Sequence, residues 1–182
     1  MSAVAAALAA AVALSDGAHG DQQDARLNGL FERLRSTPSD REGKALEQRI
    51  WHIWSEAGDP QIDLLLQEGV LAMSAADFQA ALERFDRMVE QAPDFAEGWN
   101  KRATLHYMMG NFRASVFDIQ RTLDLEPRHF GALSGLGLIY DAVDQPAAAL
   151  RSFEAAVAIN PHLESIEHRI IELRRQLAGR PT

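Results

Sequence analysis

Cysteine is absent from the 182-residue chain, which excludes a disulfide framework, a thiolate nucleophile and a cysteine metal site. Any zinc would have to be held by His, Asp or Glu. Lysine is nearly absent too. Only two of the 18 basic residues are Lys and the other 16 are Arg, so there is no lysine-rich arm of the nucleic-acid type. Acidic residues number 26, for a net charge of −8, which argues against a nucleic-acid partner. No Gly-rich phosphate loop and no GxSxG elbow occurs. The run Gly131 to Gly137 is glycine-rich but falls inside a helix by repeat register. No apolar run reaches the roughly twenty residues that span a bilayer, so no transmembrane span is expected. What remains is room for one domain with an N-terminal appendage, and a hydrophobic content of 47% that supports an ordinary core.

Residues Ala3 to Leu14 read AVAAALAAAVAL, twelve apolar residues in a row. That length fits the apolar region of a secretory signal. Small-x-small sites follow at Ala13-Leu14-Ser15 and Ala18-His19-Gly20, and the polar run Asp21-Gln22-Gln23-Asp24 favours cleavage after Gly20. No Lys or Arg precedes Arg26, so the usual positive flank is missing. Residues 1–20 are therefore expected to be a signal peptide and the protein to be periplasmic or secreted. The competing reading is an Ala-rich helix packed on a cytoplasmic domain.

Pro93, Pro127 and Pro161 recur at intervals of 34 residues. Aligning Ile62–Phe95, Ala96–His129 and Phe130–Leu163 on that period brings further columns into register. A large apolar residue opens each unit (Leu65, Trp99, Leu133), followed four residues on by a small one (Gly69, Ala103, Gly137). A second small column holds Ala81, Ser115 and Ala149, then a large one holds Phe85, Ile119 and Phe153. A looser column holds Met88, Thr122 and Ala156. Each unit reads as two helices of about fourteen residues joined at Ala76-Asp77, Gly110-Asn111 or Asp144-Gln145. Small residues let paired helices approach, and large ones fill the space between units.

These columns resemble the tetratricopeptide repeat over residues 61–163. The third unit is nearest the family pattern, with Leu133, Leu136, Gly137, Tyr140, Ala149, Phe153, Ala156 and Pro161 in place. The second departs most, with Arg102 at an apolar position and His106 at an aromatic one. The expected fold is all-α, an α-solenoid of stacked antiparallel helix pairs. Residues 21–60 form an N-terminal helical hairpin or divergent repeat, with stripes at Leu27, Leu30, Phe31, Leu34 and at Leu46, Ile50, Ile53, Trp54, Ala57. Thr37 is the expected N-cap of its second helix. Trp51 lies off the stripe and is expected to be a partly buried Trp, with a contact to the hydrophobic segment or to a partner as the other reading. Residues 164–182 supply a capping helix and tail: Leu163, Ile166, Ile170, Leu173 and Leu177 make one apolar stripe, and Gly179 and Pro181 end it.

The resemblance implies that a ligand lies in the concave groove lined by the first helix of each unit. Residue by residue, it places Leu66, Val70 and Met73 there from the first unit, Asn100, Lys101, Thr104, Tyr107 and Met108 from the second, and Ser134, Leu138 and Asp141 from the third. A subset of the family clamps chaperone C-terminal carboxylates with two Lys, two Asn and one Arg. Here only Asn100 and Lys101 are of the right type. Leu66 and Val70 stand where the first clamp pair belongs, and Gly131 and Gly135 where the last belongs, so a chaperone tail is not the expected ligand. The mixed apolar and hydrogen-bonding set suits an apolar peptide segment or partner helix.

The expected function is a non-catalytic protein–protein interaction module, an adaptor or assembly factor, with no cofactor and no metal. A self-associating module of the cell envelope, forming a homo-oligomer, is the alternative. A metal-dependent enzyme would have to use Glu164, His168 and His162, and no HExxH pattern supports it.

Overall fold

A computed structural model describes residues 21–179 of the chain. Among them are nine α-helices and no strand, after a single 3-10 turn at Asp21–Gln23. The first two helices are α1 (Arg26–Ser36) and α2 (Asp40–Trp54). Three pairs follow: α3 (Pro60–Ser74) with α4 (Phe78–Gln91), α5 (Ala96–Met108) with α6 (Phe112–Leu125), and α7 (Phe130–Ala142) with α8 (Pro146–Ile159). Helix α9 (Glu164–Ala178) closes the series. The chain is an all-α solenoid. The candidate signal segment, its cleavage sites and Pro181 lie outside the described residues.

The repeat columns become contacts. A Cβ at Gly69 would run into the Phe85 ring, and one at Gly137 into the Phe153 ring. Small column and large column thus meet across each helix pair. In the second unit Ala103 and Ile119 share a cluster, and the Ser115 hydroxyl donates to the Ala103 carbonyl at 2.7 Å. The turns bend where expected: Ala76, Gly110 and Asp144 all have positive φ, at 59°, 75° and 52°. The residues before the three repeat prolines, Ala92, Glu126 and Asn160, all leave the helical region, with ψ of 70°, 92° and 95°. Proline imposes this on its predecessor, and so each second helix ends at the same register.

Arg102, at a column that is apolar in the family, has a specific role. Its guanidinium donates twice to Asp118 on α6 and once to Asp86 on α4, each at 2.8 Å, and it lies 4.9 Å from the Trp99 ring centroid. It ties two units together, whereas at the same position of the first unit Glu68 accepts from Arg84 within the unit at 2.7 Å.

The N-terminal hairpin does not stack on the first unit. It runs along the solenoid, and its core cluster joins Leu27, Leu30, Phe31, Leu34, Leu46, Ile50, Ile53 and Trp54 to Phe130 and Ala156 of the third unit. Its polar contacts fall on the turns that carry the prolines. Gln22 Nε2 donates to the Asp94 carbonyl at 2.6 Å, Arg128 donates to Asn28 Oδ1 at 2.8 Å, and His162 Nδ1 lies 3.1 Å from Asp40 Oδ1. Asp94, Arg128 and His162 are the same repeat position in the three units. Gly43 lets α2 reach the last of them, since a Cβ there would collide with the His162 imidazole. The N-cap of α2 is Ser39 and not Thr37. The Ser39 hydroxyl accepts from the Glu42 amide, while the Thr37 hydroxyl donates to the Glu42 carboxylate at 2.7 Å.

Candidate functional site

Helices α3, α5 and α7 are the first members of successive pairs, and each contacts the next. They line one face, which carries the residues assigned to a groove by the repeat alignment. Helix α2 is laid on part of that face. The Trp51 ring sits over Gly131, where any Cβ would strike it, and the Lys101 ammonium lies 5.4 Å from a Trp51 ring centroid. Trp51 is half-buried and makes edge-on contacts with Trp54, His129 and Phe130, each at 5.4 Å. The sequence marks it only as a Trp off the α2 stripe.

Beneath it is a buried polar cluster. The His129 imidazole is fully buried and stacks on Trp54, with ring centroids 4.2 Å apart and planes 9° from parallel. Its Nδ1 accepts the Ala132 amide at 3.1 Å, so His129 caps α7. With Nδ1 accepting, the proton of the neutral ring resides on Nε2, which donates to Glu97 Oε2 at 3.1 Å. Asn100 Nδ2 donates to the same oxygen at 2.8 Å, and Lys101 Nζ lies 2.8 Å from Oε1. Burial alone would push the Glu97 carboxyl up. Lys101 and His129 beside it outweigh that and hold it below the ordinary carboxylate range. Residue 129 shares a column with Phe95 and Leu163. A histidine between a Phe and a Leu is the signal that could have marked this cluster.

The expected groove residues therefore divide. Leu66 turns into the core, 8% exposed, among Leu65, Phe85 and Leu105. Asn100 is buried and committed to Glu97, and Lys101 is held between Glu97 and Trp51. Asp141 accepts two bonds from Arg169 of α9, at 2.6 and 2.8 Å. Val70, Met73, Tyr107 and Ser134 are half-buried, while Thr104, Met108 and Leu138 are exposed. Between α5 and α7 a cavity of about 150 Å³ remains open, lined by Asn100, Thr104, Tyr107, Gly131, Gly135 and Leu138 above a floor that includes Ala103 and Ile119. None of its lining residues carries a formal charge at neutral pH.

The residues considered for a metal are separated. Lys44 pairs with Glu164 at 2.8 Å, His168 Nδ1 lies 2.9 Å from the Glu164 carbonyl, and His162 faces Asp40. Among the described residues no group of three His, Cys, Asp or Glu side chains could hold a metal ion. Also among them, no helix is long and apolar enough to cross a membrane. A wider cleft of about 750 Å³ opens beside the α5–α6 turn. It contains His106, whose Nε2 is 3.9 Å from Asp118 and whose Nδ1 is buried with no hydrogen-bond partner among the described residues.

No protein-family model matches the chain. Over 157 residues the chain is 35% identical to a TPR repeat-containing protein of Rhizobium etli, spanning 86% of this chain and 77% of that relative. Among solved structures, it resembles the TPR2B domain of yeast Sti1 in complex with an Hsp70 peptide, at a TM-score of 0.60 and 20% identity, covering 65% of this chain and 99% of that one. It also resembles the first TPR domain of Spaghetti (RPAP3), bound to an HSP90 peptide, at a TM-score of 0.62 and 15% identity, covering 65% of this chain and 94% of that one.

Proposed function

The chain belongs to the tetratricopeptide-repeat family, and from that premise we propose that it is a non-catalytic protein-interaction module, an adaptor or assembly factor. It takes a peptide segment or partner helix along the face of α3, α5 and α7, in the stretch that α2 leaves open. The observation that carries this reading is the uncharged cavity between α5 and α7, bordered by exposed Thr104, Met108 and Leu138. It offers hydrogen-bonding groups and apolar surface side by side, as a segment with mixed side chains requires. The two similar TPR domains hold chaperone peptides. This chain lacks the clamp for a chaperone carboxylate: Asn100 and Lys101, its nearest matches, are both committed to Glu97. The partner is accordingly one without a terminal carboxylate as its main anchor.

The test is a photo-crosslinking side chain placed at Leu138 and, as a control, at exposed Arg151, in extract of the native cell. A discrete adduct formed only from position 138 and lost on Thr104→Glu supports the groove. Equal adducts from both positions, or an adduct indifferent to Thr104→Glu, reject it. Leu66→Glu is unsuitable as a surface probe, because it would place a charge in the core.

A second reading has an observation of its own. With the hairpin placed along the third unit, Leu64 and Leu71 on α3 remain 53% and 63% exposed, which favours self-association through that end. Light scattering of the protein and of its Leu64→Glu, Leu71→Glu variant separates the two. The apolar run Ala3 to Leu14 supports export to the periplasm or medium, and the N-terminus of the native protein, read by sequencing, decides whether it is removed.

A further inference from the structure

Glycine inside a helix is destabilising relative to alanine, so each one calls for a local reason. At five helical glycines the reason is a ring of this same chain. His162 covers Gly43, Phe85 covers Gly69, Phe95 approaches Gly98, Trp51 covers Gly131 and Phe153 covers Gly137. Gly29 is different, with nothing near it, and lies on the exposed side of α1. Gly135 is the exception inside a concavity. A Cβ there would meet only Ile119 Cδ1, at 3.5 Å, an ordinary contact. Among the described residues nothing requires glycine at this position, yet it lines the 150 Å³ cavity between α5 and α7.

Gly131 and Gly135 are one helical turn apart and share a face of α7. On the first of them the chain shows what this face accepts, namely the benzo portion of an aromatic ring set against bare backbone. The surface continues from the Trp51 seat into the cavity over the second, where Thr104, Tyr107 and Leu138 form the rim. A cavity of this size accommodates a benzene ring. Its uncharged lining would leave an ionised side chain without compensation. We propose that the space over Gly135 is a specificity pocket for one aromatic side chain of the partner segment, which lies beside α2 and seats its ring on Gly135 as Trp51 seats on Gly131. This rests on the groove reading above and adds the chemistry of the anchor residue.

Indole is the probe, titrated into isotopically labelled full-length protein and followed by the backbone amide resonances of Gly135, Thr104 and Leu138. Saturable shifts at these residues are expected. Gly135→Val, with the pocket filled, should bind indole weaker by about tenfold or more. If that variant fails to fold, Gly135→Ala, for which there is room, should still weaken binding several-fold. Trp51→Ala should gain a second indole site reported by Gly131. Absent or non-saturating shifts at Gly135, or shifts unchanged in both Gly135 variants, overturn the pocket. A Trp51→Ala protein that gains no site at Gly131 also overturns it. Because indole needs no partner, loss of the pocket can be told apart from loss of the groove. Indole binding without a groove adduct from position 138 overturns the reading on which the pocket depends. An adduct without indole binding overturns the pocket alone.

Discussion

The imidazole of His129 lies flat against the indole of Trp54, their centroids 4.2 Å apart and their planes 9° from parallel. One ring closes the second repeat at the start of α7 and the other belongs to the N-terminal hairpin, so this stack is where the two parts of the chain are joined. His129 also caps α7 and donates to Glu97. A single side chain therefore supports a helix start, a buried carboxylate and an inter-element stack.

His129→Ala is expected to lower the unfolding free energy by about 2–4 kcal/mol, from the lost cap, the lost ring pair and the partner removed from Glu97. Urea unfolding followed by tryptophan emission measures it, since Trp51 and Trp54 both report on the hairpin. A loss no larger than that of a surface alanine substitution would show that the stack does not hold the hairpin.

Acid should weaken the same joint. The Glu97 carboxyl is held below its ordinary value of 4.5, so its contribution is fully present above that value and is lost as pH falls through the lowered folded one. Glu97→Gln removes the titration and also sets an amide donor against the Lys101 ammonium. The variant should be less stable at neutral pH, and its gap from the parent should narrow as pH falls below the ordinary carboxylate value of 4.5. A gap of constant size over that range would count against the charged cluster.

Arg102 and Asp118 form a buried pair, with side chains 16% and 1% exposed. Arg102→Leu alone strands the Asp118 carboxylate and should cost about 3–5 kcal/mol. Adding Asp118→Leu should recover most of it, because no buried carboxylate is then left without its partner. Thermal melts of the two single variants and the double test this. Strict additivity would mean the two side chains act independently.

Two glycines of α7 should respond in opposite directions. Gly137→Leu pushes into the Phe153 ring and should cost about 1–3 kcal/mol. Gly135→Ala meets only Ile119 at 3.5 Å and should stabilise by about 0.5–1 kcal/mol through helix propensity. Melting temperatures decide it, and the reverse order would refute the assignment of ring seats.

Much of the fold is legible in the sequence. The interval between Pro93, Pro127 and Pro161 locates the three units, and the Gly69–Phe85 and Gly137–Phe153 columns name the contacts inside two of them. The stripes Leu27 to Leu34 and Leu46 to Trp54 foretell the helices of the hairpin but not where it packs. The candidate groove is legible only as a face. Leu66, Asn100 and Lys101 match groove positions by register, yet the core takes the first and Glu97 takes the other two.

The reason for the difference is physical. Contacts within a unit join residues about sixteen positions apart, such as Arg102 and Asp118, and they recur with the period, so three copies of the pattern reveal them. The hairpin joins the solenoid through pairs 72, 100 and 122 residues apart, Gln22 with Asp94, Arg128 with Asn28 and His162 with Asp40. That packing occurs once and leaves no period to detect. The sequence alone thus determined the helix pairs and their stacking, through small and large residues at fixed spacing. Only the tertiary structure decided which part of the inner face stays open, because that depends on where a non-repeating hairpin finds complementary rings and turns.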